Sequence, residues 1–215
     1  MKLIIFDLDG TLIDSRHDIA SSVNAALSIC GLAQRSVEEI TGYVGSGVVH
    51  LLQSALGEYY SDAMFRKVIK KFRAHYGEHM LDQTQLYPGV RDVLSRMGDY
   101  HKCVLTNKPL SYSMGILKGL SIDHFFLNVI GGDSKYPKKP DPAAVYFLME
   151  HHQVSALSTM IVGDSPVDIN TGSNAGIFSC AALYGFTDAP LLERSNAHYK
   201  INSFNEIGEI LCNGS

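Results

Sequence analysis

The sequence has no excess of basic residues, no long apolar run and no paired cysteine motif, and each absence excludes a class of protein. Its 215 residues carry 18 Lys and Arg against 22 Asp and Glu, a formal net charge of −4. A nucleic-acid-binding protein usually presents a basic face, whereas the densest basic stretch here, 135–139, is short. We therefore expect no nucleic-acid partner.

Membrane insertion and disulfide bonding are also unexpected. The N-terminal apolar run ends at Asp7, too early for a signal peptide, and no stretch approaches the roughly 20 apolar residues that span a bilayer. The four cysteines form no C-x-x-C pair and match no zinc-binding spacing: Cys30, Cys103, Cys180 and Cys212. Free thiols suit a reducing compartment, so we expect a soluble cytoplasmic protein and leave open whether it is a monomer or a homodimer.

Short apolar runs that end in small or polar residues alternate with helical patterns. Strands buried on both faces of a parallel sheet have this form, and five runs share it: Leu3–Phe6, Cys103–Leu105, Val129–Ile130, Met160–Val162 and Ser179–Leu183. Helical spacing follows over Val90–Met97, Ala143–His151 and Asp168–Ala175. The second of these helices begins after Asp141-Pro142, which predicts an N-cap followed by proline in the first turn. The alternation predicts an α/β fold with a doubly wound, Rossmann-like parallel sheet.

One segment lacks this alternation. No strand pattern occurs between Ser15 and Leu81, whereas Asp18–Ile29, Val48–Leu56 and Ala63–Tyr76 have helical periodicity. We predict an α/β catalytic core of residues 1–14 and 82–215, with residues 15–81 inserted as a helical cap domain.

Polar residues follow the predicted strands, and ligands of doubly wound sheets bind at the carboxyl ends of the strands. Four short motifs lie there: Asp7-Leu8-Asp9-Gly10-Thr11-Leu12, Thr106-Asn107, Lys139-Pro140 and Gly163-Asp164-Ser165-Pro166-Val167-Asp168. Asp7 and Asp9 would face opposite ways in a regular strand. The chain must therefore leave strand geometry at Leu8 and Asp9 for both to reach one site, and Gly10 supplies the backbone freedom.

This set of residue types suits phosphate chemistry with a divalent cation. Asp7 and Asp164 offer the hard oxygen ligands that Mg²⁺ prefers, and a cation between them would offset the repulsion between carboxylate and phosphate. Thr106 and Asn107 offer hydrogen-bond donors, and Lys139 adds a positive charge. Asp168 would hold either Lys139 or a metal-bound water in place. Singly, each residue has an ordinary explanation as a turn or cap, but five specified residues of the first motif arise by chance with a probability on the order of 10⁻⁴.

Together the four motifs resemble those of the haloacid dehalogenase superfamily of phosphohydrolases, over nearly the whole chain. The resemblance implies that Asp7 attacks phosphorus and forms an aspartyl-phosphate, while Asp9 protonates the leaving oxygen and then activates water. It implies that Mg²⁺ is held by Asp7, the Asp9 backbone carbonyl and Asp164. It also implies phosphoryl-binding and supporting residues: Gly10, Thr11, Thr106, Asn107 and Lys139, supported by Ser165 and Asp168. Dehalogenating members lack the second aspartate, so dehalogenation is not expected.

Within the superfamily, the segment Gly42–Gly47 resembles a cap segment of phosphoglycolate phosphatases. Backbone N–H groups of Gly45, Ser46 and Gly47, at the start of a helix, would bind a substrate carboxylate; the alternative is a plain glycine turn between cap helices. The expected substrate is a small phosphorylated metabolite, first 2-phosphoglycolate. The alternatives are pyrophosphate, a nucleotide or a sugar phosphate as substrate, a phosphosugar mutase, or a non-catalytic phosphate-binding protein.

Overall fold

A parallel sheet of six strands forms the centre of the protein in the computed structural model, which describes residues 1–213. Numbered along the chain, the strands are β1 Leu3–Phe6, β2 Ile13–Asp14, β3 Gln85–Leu86, β4 His101–Leu105, β5 Asn128–Ile130, β6 Thr159–Gly163, β7 Phe178–Ala182 and β8 Tyr199–Ile201. The large sheet has the order β5-β4-β1-β6-β7-β8, and every pair in it is parallel. Strands β2 and β3 form a separate antiparallel pair.

Ten α-helices within residues 1–213 surround the sheet or lie beside it. They are α1 Arg16–Ile29, α2 Val37–Thr41, α3 Val48–Leu56, α4 Asp62–His79, α5 Val90–Arg96, α6 Leu110–Gly119, α7 Ala143–His151, α8 Pro166–Ala175, α9 Ala189–Glu193 and α10 Glu206–Asn213. None of these described helices combines the length and apolar character needed to cross a membrane.

The central strand β1 is apolar throughout because both faces of the sheet are covered. Ile4 and Phe6 pack into one hydrophobic core, whereas Leu3 and Ile5 pack into a second core on the opposite face. All four are fully buried, and each burial contributes roughly 1.5–3 kcal/mol relative to exposure. The continuous apolar runs therefore predicted the fold class correctly, and all five predicted strands are present.

The sheet has a topological switch point at β1. From β1 the chain moves to β4 and β5 on one side, and later to β6, β7 and β8 on the other. Ligands of doubly wound folds bind at such a point, beyond the carboxyl ends of the strands. Residues that follow β1, β4 and β6 are thereby brought to one edge.

Helices α1 to α4 all fall between β2 and β3, and the structure describes no strand within 15–81. Helix α1 packs against α2, α3 and α4. Where the segment rejoins the core, the buried Asp18 carboxylate accepts hydrogen bonds from the backbone N–H groups of Gln83 and Thr84 and from the Thr84 hydroxyl. The division into a core of residues 1–14 and 82–215 and a cap of residues 15–81 stays a prediction.

Two details differ from the sequence expectation or extend it. The N-cap of α7 is Pro142, not Asp141; the Asp141 carboxylate instead accepts a hydrogen bond from Ala143 N–H at 2.9 Å, which satisfies an N–H at the start of the helix. Cys30, Cys103 and Cys180 are free thiols as expected; the side chain of Cys212 lies outside the described part of the chain.

Candidate active site

The first motif leaves β1 through a tight turn. Gly10 has φ +81°, a conformation that residues with a Cβ rarely adopt, and an added Cβ would lie 2.1 Å from Asp164 Oδ2. Gly10 N–H donates to Ile13 O, and Thr11 N–H donates to Leu8 O. The predicted departure from strand geometry is thus present. These two N–H groups shape the loop, and the phosphate contacts expected of Gly10 and Thr11 stay predictions.

Three buried carboxylates meet at the carboxyl edge of β1 and β6. Asp7, Asp164 and Asp168 each offer an oxygen within 4.8 Å of the oxygens of the other two. Asp7 follows β1, Asp164 follows β6, and Asp168 lies in the first turn of α8. Asp168 Oδ2 accepts hydrogen bonds from the N–H and hydroxyl of Ser165, which fixes its rotamer.

Lys139 lies between two of these carboxylates. Its Nζ is 2.9 Å from Asp7 Oδ1 and 2.6 Å from Asp168 Oδ1. Burial alone would lower the pKa of Lys139, but the charges of Asp168 and Asp7 outweigh burial and raise that pKa, so the ammonium stays charged. Burial raises the pKa of Asp7 to about 6, with Lys139 opposing the rise. The pKa of Asp7 thus stays above its ordinary value even beside the Lys139 ammonium.

Of the three carboxylates, Asp164 has the negative charge that its neighbours balance least. Its oxygens accept hydrogen bonds from the Thr11 hydroxyl at 2.9 Å and from Phe186 N–H at 2.8 Å. Burial, then the nearby charges of Asp168 and Asp7, raises its pKa to about 8. Three carboxylates thus face one ammonium in a buried place. This imbalance and the all-oxygen donor set fit a divalent cation such as Mg²⁺.

The second aspartate of the motif has a different set of partners. Asp9 accepts hydrogen bonds from Lys108 Nζ at 2.7 and 3.0 Å and from the Ser15 hydroxyl at 2.5 Å. The Lys108 ammonium also lies 4.8 Å from the centre of the Tyr76 ring. Burial would lower the pKa of Lys108, but the Asp9 charge outweighs it and raises that pKa. Sequence reasoning assigned Lys108 no role, because the local sequence does not show this distant contact.

The motif after β4 brings both of its candidate phosphate ligands, Thr106 and Asn107, to the cavity, and Asn107 also bridges two segments of the chain. Thr106 is buried and lines the cavity, and its hydroxyl oxygen accepts from Lys108 N–H at 3.2 Å. Asn107 Nδ2 donates to Gly45 O at 2.9 Å and to Lys139 O at 3.1 Å, while its Oδ1 accepts from Lys139 N–H at 2.9 Å. The side chain of Asn107 therefore ties the glycine segment to the chain around Lys139.

The glycine segment between α2 and α3 closes over this edge. Gly45 and Gly47 have φ of +117° and +90° and both line the cavity, whereas Ser46 is exposed to solvent. An added Cβ on Gly47 would lie 3.1 Å from Asn107 O. The segment needs glycine for its backbone conformation and at Gly47 for this close approach. Its contact with a substrate carboxylate stays a prediction.

A cavity of about 390 Å³ lies between this edge and the helices of residues 15–81. The sheet edge contributes Asp7, Asp9, Thr106, Lys108 and Asp164. The helical segment contributes mostly apolar side chains, together with one tyrosine, one glutamate and one threonine: Ile19, Val44, Val48, Leu51, Phe72, Tyr76, Glu38 and Thr41. The cavity therefore has the carboxylates and Lys108 of the sheet edge at one end and a wall of mixed, mainly apolar side chains at the other.

Known proteins are similar to this chain in sequence and in fold. The model of the haloacid dehalogenase-like hydrolase family matches residues 4–182. A phosphoglycolate phosphatase of Vibrio parahaemolyticus is 35% identical over 223 aligned positions, which cover 99% of this chain and 96% of the relative. One of Vibrio cholerae is 37% identical over 86% of each chain. The crystal structure of a predicted phosphoglycolate phosphatase of Haemophilus somnus matches with a TM-score of 0.93 and 32% identity over 98% of both chains.

The fold, the carboxylate edge and these matches define an enzyme of the phosphoric monoester hydrolase class. The resemblance predicted from the four motifs is confirmed over the full chain. The chain belongs to the haloacid dehalogenase-like hydrolase family.

Proposed function

We propose that this phosphatase is Mg²⁺-dependent, forms an aspartyl-phosphate on Asp7 and hydrolyses 2-phosphoglycolate. The observation that carries the chemistry is the buried cluster of Asp7, Asp164 and Asp168 with Lys139 at the switch point of the sheet. Relatives that are 35% and 37% identical are named phosphoglycolate phosphatases, which supports 2-phosphoglycolate as the substrate.

Asp7 is placed to act as the nucleophile. Its described hydrogen bond from Leu8 N–H and its ion pair with Lys139 both involve Oδ1, so Oδ2 is the oxygen that would attack phosphorus. The bond from phosphorus to the leaving oxygen then breaks, and Asp9 donates a proton to that oxygen. In the second step Asp9 accepts a proton from the water that attacks the aspartyl-phosphate, and inorganic phosphate leaves with Asp7 restored.

The surrounding residues hold these two carboxylates in different ways. Lys139 and Asp168 fix Asp7 in a buried ion-pair network, and Lys108 with Ser15 orients Asp9 toward the cavity. Asp7, Asp164 and the Asp9 backbone carbonyl would hold Mg²⁺, which supplies charge neutralisation between carboxylate and phosphate when it is bound. The Thr106 hydroxyl and the Lys139 ammonium would stabilise the phosphoryl oxygens.

Phosphate release from a metabolite panel, with Mg²⁺ and with EDTA, tests this proposal. The panel holds 2-phosphoglycolate, hexose phosphates, nucleoside monophosphates and pyrophosphate. We expect metal-dependent release with a kcat/KM for 2-phosphoglycolate in the range of about 10⁴–10⁸ M⁻¹s⁻¹, well above the others. A flat, weak profile would refute the substrate, and no release from any member by folded protein would refute the chemistry.

Trapping the intermediate tests the covalent step separately. Acid quenching during turnover, followed by peptide mass spectrometry, should show one added phosphoryl group on Asp7. A phosphoryl group on any other residue, or none in a protein that turns over rapidly, would contradict the role of Asp7.

A further inference from the structure

One buried donor at the cavity wall has nothing to donate to. Tyr76, on α4, is 2% exposed, and it lines the cavity. Its hydroxyl oxygen lies near the Lys108 ammonium, which can only donate a hydrogen bond, so the O–H itself has no acceptor among the described residues. Buried tyrosine hydroxyls normally find a partner, so an O–H without an acceptor in the wall of an active-site cavity points to a ligand.

A positively charged residue, Lys108, lies in the same corner of the cavity as Tyr76. Lys108 is the only Lys, Arg or His among the described residues that line the cavity. Its ammonium lies 4.8 Å from the centre of the Tyr76 ring and 2.7 Å from Asp9 Oδ1. Tyr76 belongs to a helix of the 15–81 segment and Lys108 follows β4, so the two groups approach the cavity from opposite walls.

We propose that Tyr76 and Lys108 are specificity-determining residues that bind a carboxylate on the departing part of the substrate. The inference rests on the proposed function, in which Asp9 meets the leaving oxygen. In 2-phosphoglycolate one carbon separates the leaving oxygen from the carboxylate, so the carboxylate would lie close to Asp9. Lys108 is hydrogen-bonded to Asp9 and would therefore be within reach of that carboxylate. An ammonium and an O–H supply a charge and a directed donor, which together suit a carboxylate.

One part of the cavity wall is apolar. Ile19, Leu51 and Phe72 line the cavity and have no polar side-chain atoms, whereas other parts of the lining are polar: Glu38, Thr41, Ser165, Thr187 and Asp188. Hydroxyl groups held against the apolar part would lose water without gaining partners. The charge of Lys108 in the pair would favour phosphomonoesters with an acidic tail over those with a neutral tail.

Replacing Tyr76 by phenylalanine removes the hydroxyl and keeps the ring, whose centre lies 5.3 Å from that of the stacked Phe72. The assay compares 2-phosphoglycolate with 2-hydroxyethyl phosphate, a substrate of similar length with a neutral tail. Because a hydrogen bond to a charged group is lost, Tyr76→Phe should lower kcat/KM for phosphoglycolate about 10- to 100-fold, mainly through KM. The neutral ester should change by less than about 3-fold.

Tyr112→Phe is the matched control. The Tyr112 ring lies 5.2 Å from that of Tyr76 and also lines the cavity, but its hydroxyl already donates to Arg73 O. The control should keep the wild-type preference for phosphoglycolate. Lys108→Arg should also keep the preference and Lys108→Met should lose it, even though both changes slow turnover of both esters through Asp9.

Binding to the Asp7→Asn protein separates failure of this inference from failure of the proposed function. Calorimetric titration of both esters into this protein, with Tyr76 or phenylalanine at position 76, needs no turnover. Weaker binding of phosphoglycolate alone on loss of the hydroxyl supports the pair even where no phosphate is released. Equal affinities with and without the hydroxyl, in variants with unchanged melting temperature, would overturn the inference and leave the phosphatase chemistry untouched.

Discussion

Asp164→Asn should stabilise the metal-free protein while abolishing its response to Mg²⁺. In the absence of a cation, Asp164 adds a third carboxylate to a buried cluster that holds one ammonium. The asparagine would keep both hydrogen bonds, since its oxygen can accept from Phe186 N–H and its amide can donate to the Thr11 hydroxyl, which now partner the carboxylate. The change therefore removes charge at little cost in packing.

The magnitude follows from the pKa of Asp164. Folding raises that pKa from 3.8 to about 8, so ionisation favours the unfolded state increasingly as the pH rises from 4 to 8. At pH 8 the upper limit of this cost is about 5 kcal/mol. Local relaxation and water entry reduce such costs, and we expect about 2 kcal/mol, or a rise in Tm of about 4–8 °C for a chain of this size.

Thermal unfolding in EDTA at pH 6 and pH 8, repeated with Mg²⁺, measures the effect. In EDTA, the rise in Tm of the Asp164→Asn variant over wild type should be larger at pH 8 than at pH 6. Added Mg²⁺ should raise the Tm of the wild type but barely change that of the variant. Asp168→Asn is the control for the same chemical change: Asp168 pairs with Lys139 at 2.6 Å, so its loss should lower the Tm in EDTA. A metal-free Asp164→Asn protein less stable than wild type at pH 8 would refute the charge argument.

Three further substitutions test individual roles. Asp7→Asn should abolish phosphate release while the circular dichroism spectrum stays native. Turnover by this variant at the wild-type rate would contradict covalent catalysis. Asp9→Asn should slow alkyl phosphates more than aryl phosphates, whose leaving groups need no proton; equal losses in kcat on both would remove its acid role. Asn107→Ala leaves Gly45 O and Lys139 N–H without their buried partner, so we expect a loss of about 1–3 kcal/mol in unfolding free energy and a kcat at least about 10-fold lower. Wild-type values for both would show that the bridge is dispensable.

The sheet and its functional edge could be predicted because both depend on local patterns. Runs buried on both faces are apolar at every position, and the carboxyl ends of parallel strands share an edge, so Asp7, Thr106 and Asp164 could be placed together without coordinates. Strand β8 and helix α6 lack such a signal. The first has three residues, and the second contains two serines and two glycines, so its helix depends on the burial of Ile116 and Leu117.

The Lys139–Asp168 pair was predicted and is present, whereas the side-chain partners of Lys108 and Asn107 were beyond prediction because they join distant positions. Lys108 and Asp9 are 99 residues apart, and Asn107 contacts Gly45 across 62. From sequence, Asn107 is a plausible phosphate donor, since its amide has suitable chemistry. In the structure that amide donates to two backbone carbonyls, and a phosphate contact of Asn107, which lines the cavity, stays a prediction.

The charges of the site connect the proposed cation with the proposed selectivity for an acidic tail. Four carboxyl groups face two ammonium groups at this edge, and a divalent cation would offset the excess of acidic groups. In the first step of the proposed mechanism Asp9 holds the proton it will donate, so the charge of Lys108 is free to meet the carboxylate of the substrate. Once Asp9 has given its proton to the leaving group and the tail departs, Asp9 can pair with Lys108 again, at the 2.7 Å contact seen in this structure. A neutral tail would leave the Lys108 charge without a partner during the step in which the ester is bound, and this cost makes the lysine selective against such substrates.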